Sequence, residues 1–348
     1  MTSTLRERER IELVTLLLAS EFGIIPTAVE TGPAGTVTHN YLATGQDGRQ
    51  WFVKTYPQGT DTRAAEAAIK LGEYARLCRV PVPAALPTID ADRFVASCRG
   101  LLLSVTRFVP DTVTADGRIT GALWEAVGQA VGRLHRGFAR NPHHPPPSLE
   151  ARDKAIDIGR NVARLEEFVA HCDATPPRAE FGRWAHAAAR SKLRQAPHVA
   201  RMLQAVPEAM VTQLVHGDLA GPNLLLRGST VAALVDFQPP SRRGAVWEIG
   251  RISLDPRTVL AQPDWPEGLA RLLTAYHELH PRVPVAELVS VVRVTAAALS
   301  LSVYPLSLAV DGPVPASLQA YARARYQAAA LLRERLHKAE EVLHAHLF

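Results

Sequence analysis

One stretch constrains the fold of this chain more than any other. From Leu214 to Leu226 it reads Leu-Val-His-Gly-Asp-Leu-Ala-Gly-Pro-Asn-Leu-Leu-Leu, and Ala233-Leu-Val-Asp-Phe237 follows shortly after. Polar residues here interrupt strongly apolar runs. Asp218 and Asn223 bracket a loop containing Gly221 and Pro222, and Asp236 ends the next apolar strand. Short apolar runs between turn signals read as strands, and a hairpin of two of them gathers these three oxygen-bearing side chains at one edge.

Oxygen ligands suit Mg²⁺, a hard cation that keeps several waters and contacts substrate phosphates. Asp236 and Asn223 are its candidate ligands. Asp218, on the same loop but apart from the ion, is placed to orient an acceptor hydroxyl and take its proton during phosphoryl transfer. His216 reads as a residue that fixes the loop by hydrogen bonding, in preference to an acid or base.

The remainder of the chain divides by pattern. A helix is expected over Arg6 to Phe22, with Leu13, Leu16, Leu17 and Phe22 on one side. Extended runs follow at Val37 to Ala43 and Trp51 to Tyr56, joined by a turn at Asp47-Gly48. A helix from Thr62 to Cys78 is closed off by Pro81 and Pro83, and strands are expected at Phe94 to Ala96 and Leu101 to Thr106. Beyond a connector at Thr106 to Thr120, helical periodicity dominates. Helices are expected over Leu123 to Phe138, Arg152 to Val169, Phe181 to Leu203, Glu267 to Tyr276, Val285 to Ser300 and Leu318 to Leu347. A proline-rich break at Asn141 to Ser148 and the extended pair within Leu214 to Val235 interrupt them. This order predicts an α+β architecture with a cleft between lobes. A doubly wound sheet needs a regular strand and helix alternation that the C-terminal half lacks. The boundary is expected near residue 108, giving a nucleotide-binding lobe over 1–108 and a catalytic and substrate-binding lobe over 109–348.

With these residues in view, the chain resembles the aminoglycoside phosphotransferase and choline kinase family, small-molecule kinases with a bilobal protein-kinase-like fold. The resemblance runs from about Gly32 to Arg251. It is carried by His216-Gly217-Asp218, Asn223 five positions on, and Val235-Asp236-Phe237. It implies that Asp218 is the catalytic base and that Asn223 and Asp236 are metal ligands. It further implies that Lys54, in Phe52-Val53-Lys54, holds nucleotide phosphates, with Glu66 of the following helix, or Glu73 one heptad on, pairing with it. The loop from Gly32 to Gly35 would supply backbone amides to phosphate, although a full Gly-x-Gly-x-x-Gly pattern is missing. Ala220 stands where the family often has histidine. Glu248, in Trp247-Glu248-Ile-Gly-Arg251, stands where the family usually has an aspartate, and would steady the catalytic loop with a longer side chain.

The implied reaction moves the terminal phosphoryl group of ATP or GTP, with Mg²⁺, to a hydroxyl of a small molecule: an aminoglycoside-like antibiotic, amino alcohol, sugar or nucleoside. Aminoglycosides are polycations whose pockets favour carboxylates, and the region after Asp236 mixes acidic and arginine residues without naming the acceptor. A protein kinase and an inactive nucleotide-binding scaffold are the rival readings. The first has no recognisable activation segment between Asp236 and Trp247, and the second has to account for a full set of catalytic residues.

Composition narrows the remaining classes. With 47% hydrophobic and 21% charged residues over 348 positions, the chain is an ordinary globular one, not a disordered one. A net charge of +5, from 39 Lys plus Arg against 34 Asp plus Glu, is spread thinly, and no groove-reading or base-stacking pattern accompanies it, so no nucleic-acid partner is expected. Three cysteines at unequal spacing suggest neither a disulfide framework nor a metal knot. No signal peptide or membrane span is expected, which leaves a cytoplasmic monomer or homodimer.

Overall fold

The computed structural model describes residues 7–33, 38–90, 92–141, 152–153, 156–310 and 312–347. The fold is bilobal and α+β, with a β-rich N-terminal lobe and a larger, mainly helical C-terminal lobe. By contacts the chain divides into two compact units. One takes Met1–Val113 with His216–Asp218 and Ala232–Ser241; the other takes Thr114–Val215, Leu219–Val231 and Arg242–Phe348.

The N-terminal unit is built on a five-stranded antiparallel sheet. Its elements are α1 (Glu7–Phe22), β1 (Pro26–Thr31), β2 (Asn40–Gly45), β3 (Gln50–Tyr56), α2 (Thr62–Leu77), β4 (Val95–Cys98) and β5 (Leu101–Arg107), with sheet order β1-β2-β3-β5-β4. Leu13, Val14, Leu17 and Leu18 form one stripe of α1 and pack on Tyr41, Ala43, Val53, Leu103 and Val105 of the sheet. The period of two along β3 puts Val53 and Thr55 inward, so Lys54 lies on the other face. Helix α2 starts where the Asp61 carboxylate accepts the Arg63 N–H at 2.9 Å. Strand β1 escapes the sequence pattern because two exposed residues follow each half-buried one along it, leaving no apolar face to read.

Next in chain order are β6 (Val113–Thr114), α3 (Leu123–Phe138), β7 (Arg152–Asp153), α4 (Ile158–Ala174), α5 (Glu180–Leu203), β8 (Met210–Leu214), β9 (Leu224–Arg227), β10 (Thr230–Leu234) and β11 (Arg242–Gly244). The closing run is α6 (Ala245–Ser253), α7 (Pro256–Ala261), α8 (Trp265–Leu279), α9 (Val285–Val289), α10 (Val291–Leu301), α11 (Ala316–Glu334) and α12 (Leu336–Leu347). The helix expected from Arg152 begins instead at Ile158, where the Asp157 carboxylate caps the Arg160 N–H. The helix expected over Val285 to Ser300 is broken at Ser290, and that over Leu318 to Leu347 at Arg335. Beyond Asn141, the proline-rich segment lies outside the described residues.

Helices α3 and α8 approach at backbone distance. A Cβ added at Gly128 would come 2.2 Å from the Leu272 carbonyl oxygen, and one at Gly132 would come 2.9 Å from that of Tyr276. Residues 128 and 132 thus meet 272 and 276 in the same order, so the two helices run parallel and end together. The most apolar window, Val291–Ala309, is long and apolar enough to cross a membrane. It is nevertheless 61% buried within the protein, and α10 ends at Leu301.

Candidate active site

Lys54 and Asp236 lie 182 positions apart in sequence and meet as an ion pair in the N-terminal unit, through Lys54 Nζ and Asp236 Oδ1. Strand β3 holds the lysine between two neighbours, with Lys54 opposite Asn40 of β2 and Ser104 of β5. The ammonium also lies 5.1 Å from the ring centroid of Tyr56, whose hydroxyl is 3.1 Å from Ser104 Oγ. Burial is the main cause that pushes the Tyr56 phenol above its ordinary pKa, against the opposing pull of the Lys54 charge.

Asp236 has φ +65°, a left-handed conformation that costs a non-glycine residue about 1–2 kcal/mol. His216, fully buried, brackets it. Its Nε2 is 3.0 Å from the Val235 carbonyl, its carbonyl accepts the Gln238 N–H at 3.0 Å, and its ring packs on Phe237 at 4.2 Å. On the other ring nitrogen, Nδ1 accepts the Asp218 N–H at 3.3 Å. A carbonyl only accepts and an amide N–H only donates, so both bonds together require the neutral tautomer protonated on Nε2. His216 therefore ties the segment of Asp218 to that of Asp236. Gly217 between them has φ +90°, and a Cβ there would sit 2.7 Å from Gln238 Cβ, so no other residue fits. Asp218 itself is half-buried.

Neither expected glutamate reaches Lys54. The Glu66 carboxylate accepts the Phe94 N–H at 2.9 and 3.1 Å and pairs with Lys70. The Glu73 carboxylate accepts the Ala85 N–H at 2.7 Å and pairs with Arg76. The expected Lys54 and Glu66 pair is thus corrected: both glutamates tie α2 to the segment that connects it to β4, because a half-buried carboxylate beside an unpaired backbone N–H is best satisfied there. Of the glycine loop, Gly32 donates its N–H to the Asn40 carbonyl at 2.7 Å and lies so close to β2 that a Cβ would touch it at 3.3 Å. Gly35 lies outside the described residues.

In the C-terminal unit, Asn223 closes a single 3₁₀ turn, Gly221–Asn223, and donates its N–H to the Ala220 carbonyl at 2.9 Å. The turn is gripped from one side. The Ala115 N–H reaches the carbonyls of Gly221 and Leu224 at 3.0 and 2.9 Å, and a Cβ at Gly221 would strike Asp116 at 2.5 Å. Asp116 is in turn paired with Arg257, which also binds Asp255. No sequence pattern pointed to this grip, since its members are dispersed at 115–116, 221–224 and 255–257.

Glu248 is fully buried on α6. His135 Nε2 donates to its carboxylate at 3.0 Å, and the other His135 nitrogen lies 3.0 Å from the Tyr276 hydroxyl. Burial, reinforced by Glu248 and Glu287, lifts the Tyr276 phenol well above its usual range, so it stays a donor. The same assembly holds β8, the strand that runs into Val215 and His216. Gln213 donates to the His135 carbonyl at 3.3 Å and accepts from His280 at 3.0 Å, while the Val211 N–H donates to Glu287 at 2.8 Å.

Asp236 and Asn223 offer one carboxylate and one amide oxygen, both hard donors, and Asp236 already accepts a cation in the form of the Lys54 ammonium. Among the described residues no cluster of three or more His, Cys, Asp or Glu could hold an ion by itself. Taken by itself, each of Asp236 and Asn223 is the kind of oxygen donor that Mg²⁺ accepts from a protein, beside waters and substrate phosphates.

Residues 29–285 match the phosphotransferase enzyme family (APH), so the chain belongs to that family, within the superfamily of aminoglycoside phosphotransferase-like and choline-kinase-like proteins. No curated protein matches it. Among solved structures it is similar to amicoumacin kinase hAmiN in complex with AMP-PNP, Ca²⁺ and Ami, at 15% identity and TM-score 0.63, covering 92% of this chain and 93% of that one. It is also similar to a microcompartment-associated aminopropanol kinase, at 17% identity and TM-score 0.62 over 95% and 98% of the two chains. A third is an aminoglycoside phosphotransferase from Alicyclobacillus acidocaldarius, at 14% identity and TM-score 0.62 over 99% and 98%.

Proposed function

We propose that this protein transfers the terminal phosphoryl group of ATP or GTP to a hydroxyl of a small molecule. Family membership supports a phosphotransferase acting on small hydroxyl-bearing acceptors. The observation that carries the finer reading is the meeting of Lys54 and Asp236, with Asp236 held in a costly backbone conformation by His216. Backbone conformations of this kind cluster at active sites and ligand clamps.

In this reading Lys54 releases Asp236 and binds the phosphates of the nucleotide. Asp236 and Asn223 hold Mg²⁺, which supplies charge neutralisation along the phosphates. Asp218 accepts the proton of the acceptor hydroxyl as its oxygen bonds to the terminal phosphorus. The bond from that phosphorus to the bridging oxygen breaks, and the nucleoside diphosphate leaves. His216 keeps the Asp218 and Asp236 segments in register, and Glu248, through His135, fixes the strand that leads into them.

The acceptor belongs to the class of antibiotics, amino alcohols, sugars and nucleosides. That two of the similar structures are kinases of amicoumacin and aminopropanol supports an acceptor of this size. We further propose that the protein acts in the cytoplasm as a monomer or homodimer, without nucleic acid or membrane. The test is incubation with ATP or GTP, Mg²⁺ and pooled hydroxyl metabolites and antibiotics, read by the mass gain of one phosphoryl group on a product. Product formation that is lost in Asp218→Ala, in protein that still binds nucleotide, is the expected result. An intact protein that binds neither nucleotide nor Mg²⁺ overturns the reading.

A further inference from the structure

Helices α3 and α8 end together, and a cavity of about 300 Å³ opens at their shared C-terminal end. That volume is at the lower limit of small-ligand sites, which span roughly 300–1,000 Å³. Arg136 and Arg140 line it from α3, and Arg282 lines it from the segment after α8, beside Leu279 and His280. Helix C-termini attract cations, and three guanidinium groups could serve only to cap these two. They do not: none of the three donates a side-chain hydrogen bond or forms an ion pair among the described residues. Some arginines elsewhere on this unit do find carboxylates. Arg257 binds Asp116 and Asp255, Arg293 binds Glu340, and Arg190 binds Asp173. Among the described residues Glu278 is the one carboxylate that lines the cavity, so these walls carry a net charge of +2 by the arithmetic of three cations and one anion.

The floor is His280, 1% exposed and bonded through Nε2 to Gln213 Oε1 at 3.0 Å. Its pKa is pushed down to about 3, first by burial and then by the charges of His135, Arg282, Arg136 and Arg140. The charges of all three arginines therefore converge at the bottom of the cavity, and the imidazole there remains neutral at physiological pH. A guanidinium presents a planar fork of donors that matches the oxygens of phosphate, and two surplus positive charges match a dianion.

We propose that this cavity is a binding site for a small ligand that carries a phosphate or diphosphate group. The site lies within one unit and uses none of the residues assigned to phosphoryl transfer, so it stands or falls independently of that assignment.

The probe is inorganic pyrophosphate, titrated by calorimetry without Mg²⁺ into the full chain carrying Lys54→Met, which silences the proposed nucleotide contact. Saturable binding to one site is expected, weakening as salt rises. Adding Arg140→Gln and Arg282→Gln should weaken it at least tenfold, and adding Arg323→Gln, on α11, should not change it. Arg140 and Arg282 are exposed and form no internal pair, and thermal melting checks that the variant folds. In the unsubstituted protein, pyrophosphate should protect Arg140 and Arg282 from modification by phenylglyoxal, as read by peptide mass spectrometry. Absence of binding, binding indifferent to the two arginines, or citrate bound as tightly as pyrophosphate would each overturn the proposal.

Discussion

In the N-terminal unit Lys54 and Asp236 meet with 25% and 38% of their side-chain surfaces open, whereas in the C-terminal unit His135 and Glu248 meet with none. Both are contacts between a basic and an acidic side chain, and their energetics differ. An ion pair near water contributes about 0–1 kcal/mol, because its members are nearly as well solvated apart. Removing one member of a sealed pair leaves the other buried and unsatisfied, at a cost of about 3–5 kcal/mol. Under the proposed function the difference separates groups that change partners during turnover from groups that stay in place. In that same reading Lys54 and Asp236 each release the other for phosphate and metal, while His135 and Glu248 keep β8, and the loop it feeds, in one place.

Asp218→Asn tests the open side of this contrast and should have the largest effect. Loss of the base should lower kcat by about 10²–10⁴-fold, with nucleotide affinity and thermal stability nearly unchanged, as measured by product formation beside a melting curve. A variant that loses stability in parallel with activity would mean that Asp218 supports the fold. Glu248→Ala tests the sealed side. It should destabilise the protein by about 3 kcal/mol in denaturant unfolding, whereas Lys54→Ala should cost less than about 1 kcal/mol. Equal losses would erase the distinction between the two pairs. Gly128→Ala sharpens it further: a Cβ placed 2.2 Å from a backbone oxygen must push α3 from α8, at about 1–3 kcal/mol. Because Tyr276 of α8 bonds His135 of α3, activity should fall with stability.

The candidate site residues are more legible in the sequence than their supports. Asp218, Asn223 and Asp236 stood out because charged and amide groups inside apolar runs are conspicuous in one dimension. The N-terminal hairpin was equally plain, from alternation at Trp51 to Tyr56 around an Asp-Gly turn. Glu66 was misassigned as the partner of Lys54 because helical spacing tells which face a residue occupies and nothing about a backbone N–H, that of Phe94, waiting 28 positions away. Helices α6 and α7 escape the sequence pattern: their 9 and 6 residues are too short for periodicity to register, and the burial of α6 on several sides removes the polar face that marks a helix. The His135, Gln213, Glu248, Tyr276 and His280 assembly draws on three helices and a strand, a pattern only folding makes visible.

The same contrast extends to two lysines, and there the expected effect is smallest. Lys54 rests on a carboxylate at the surface; Lys192, only 4% exposed, donates to the carbonyls of Leu299 and Ser302 at 2.6 and 3.0 Å, at the end of α10. Burial, with the charges of Arg325 and Arg333, pulls the Lys192 pKa from 10.5 down to about 7. Between those values the unfolded chain holds a proton that the folded one has released, so stability rises with pH through that window. Below about 7 both states are protonated, the dependence vanishes, and the burial cost is fully present. One proton corresponds to about 1.4 kcal/mol per pH unit at most, and near the folded midpoint the release is incomplete. From pH 7 to pH 8 the unsubstituted protein should therefore gain about 1 kcal/mol relative to Lys192→Met, measured as the difference between paired denaturant curves at each pH. Parallel dependence in the two proteins would show that Lys192 keeps its charge inside the helical unit, and that carbonyl oxygens at a helix end can hold a buried ammonium as well as an exposed carboxylate holds Lys54.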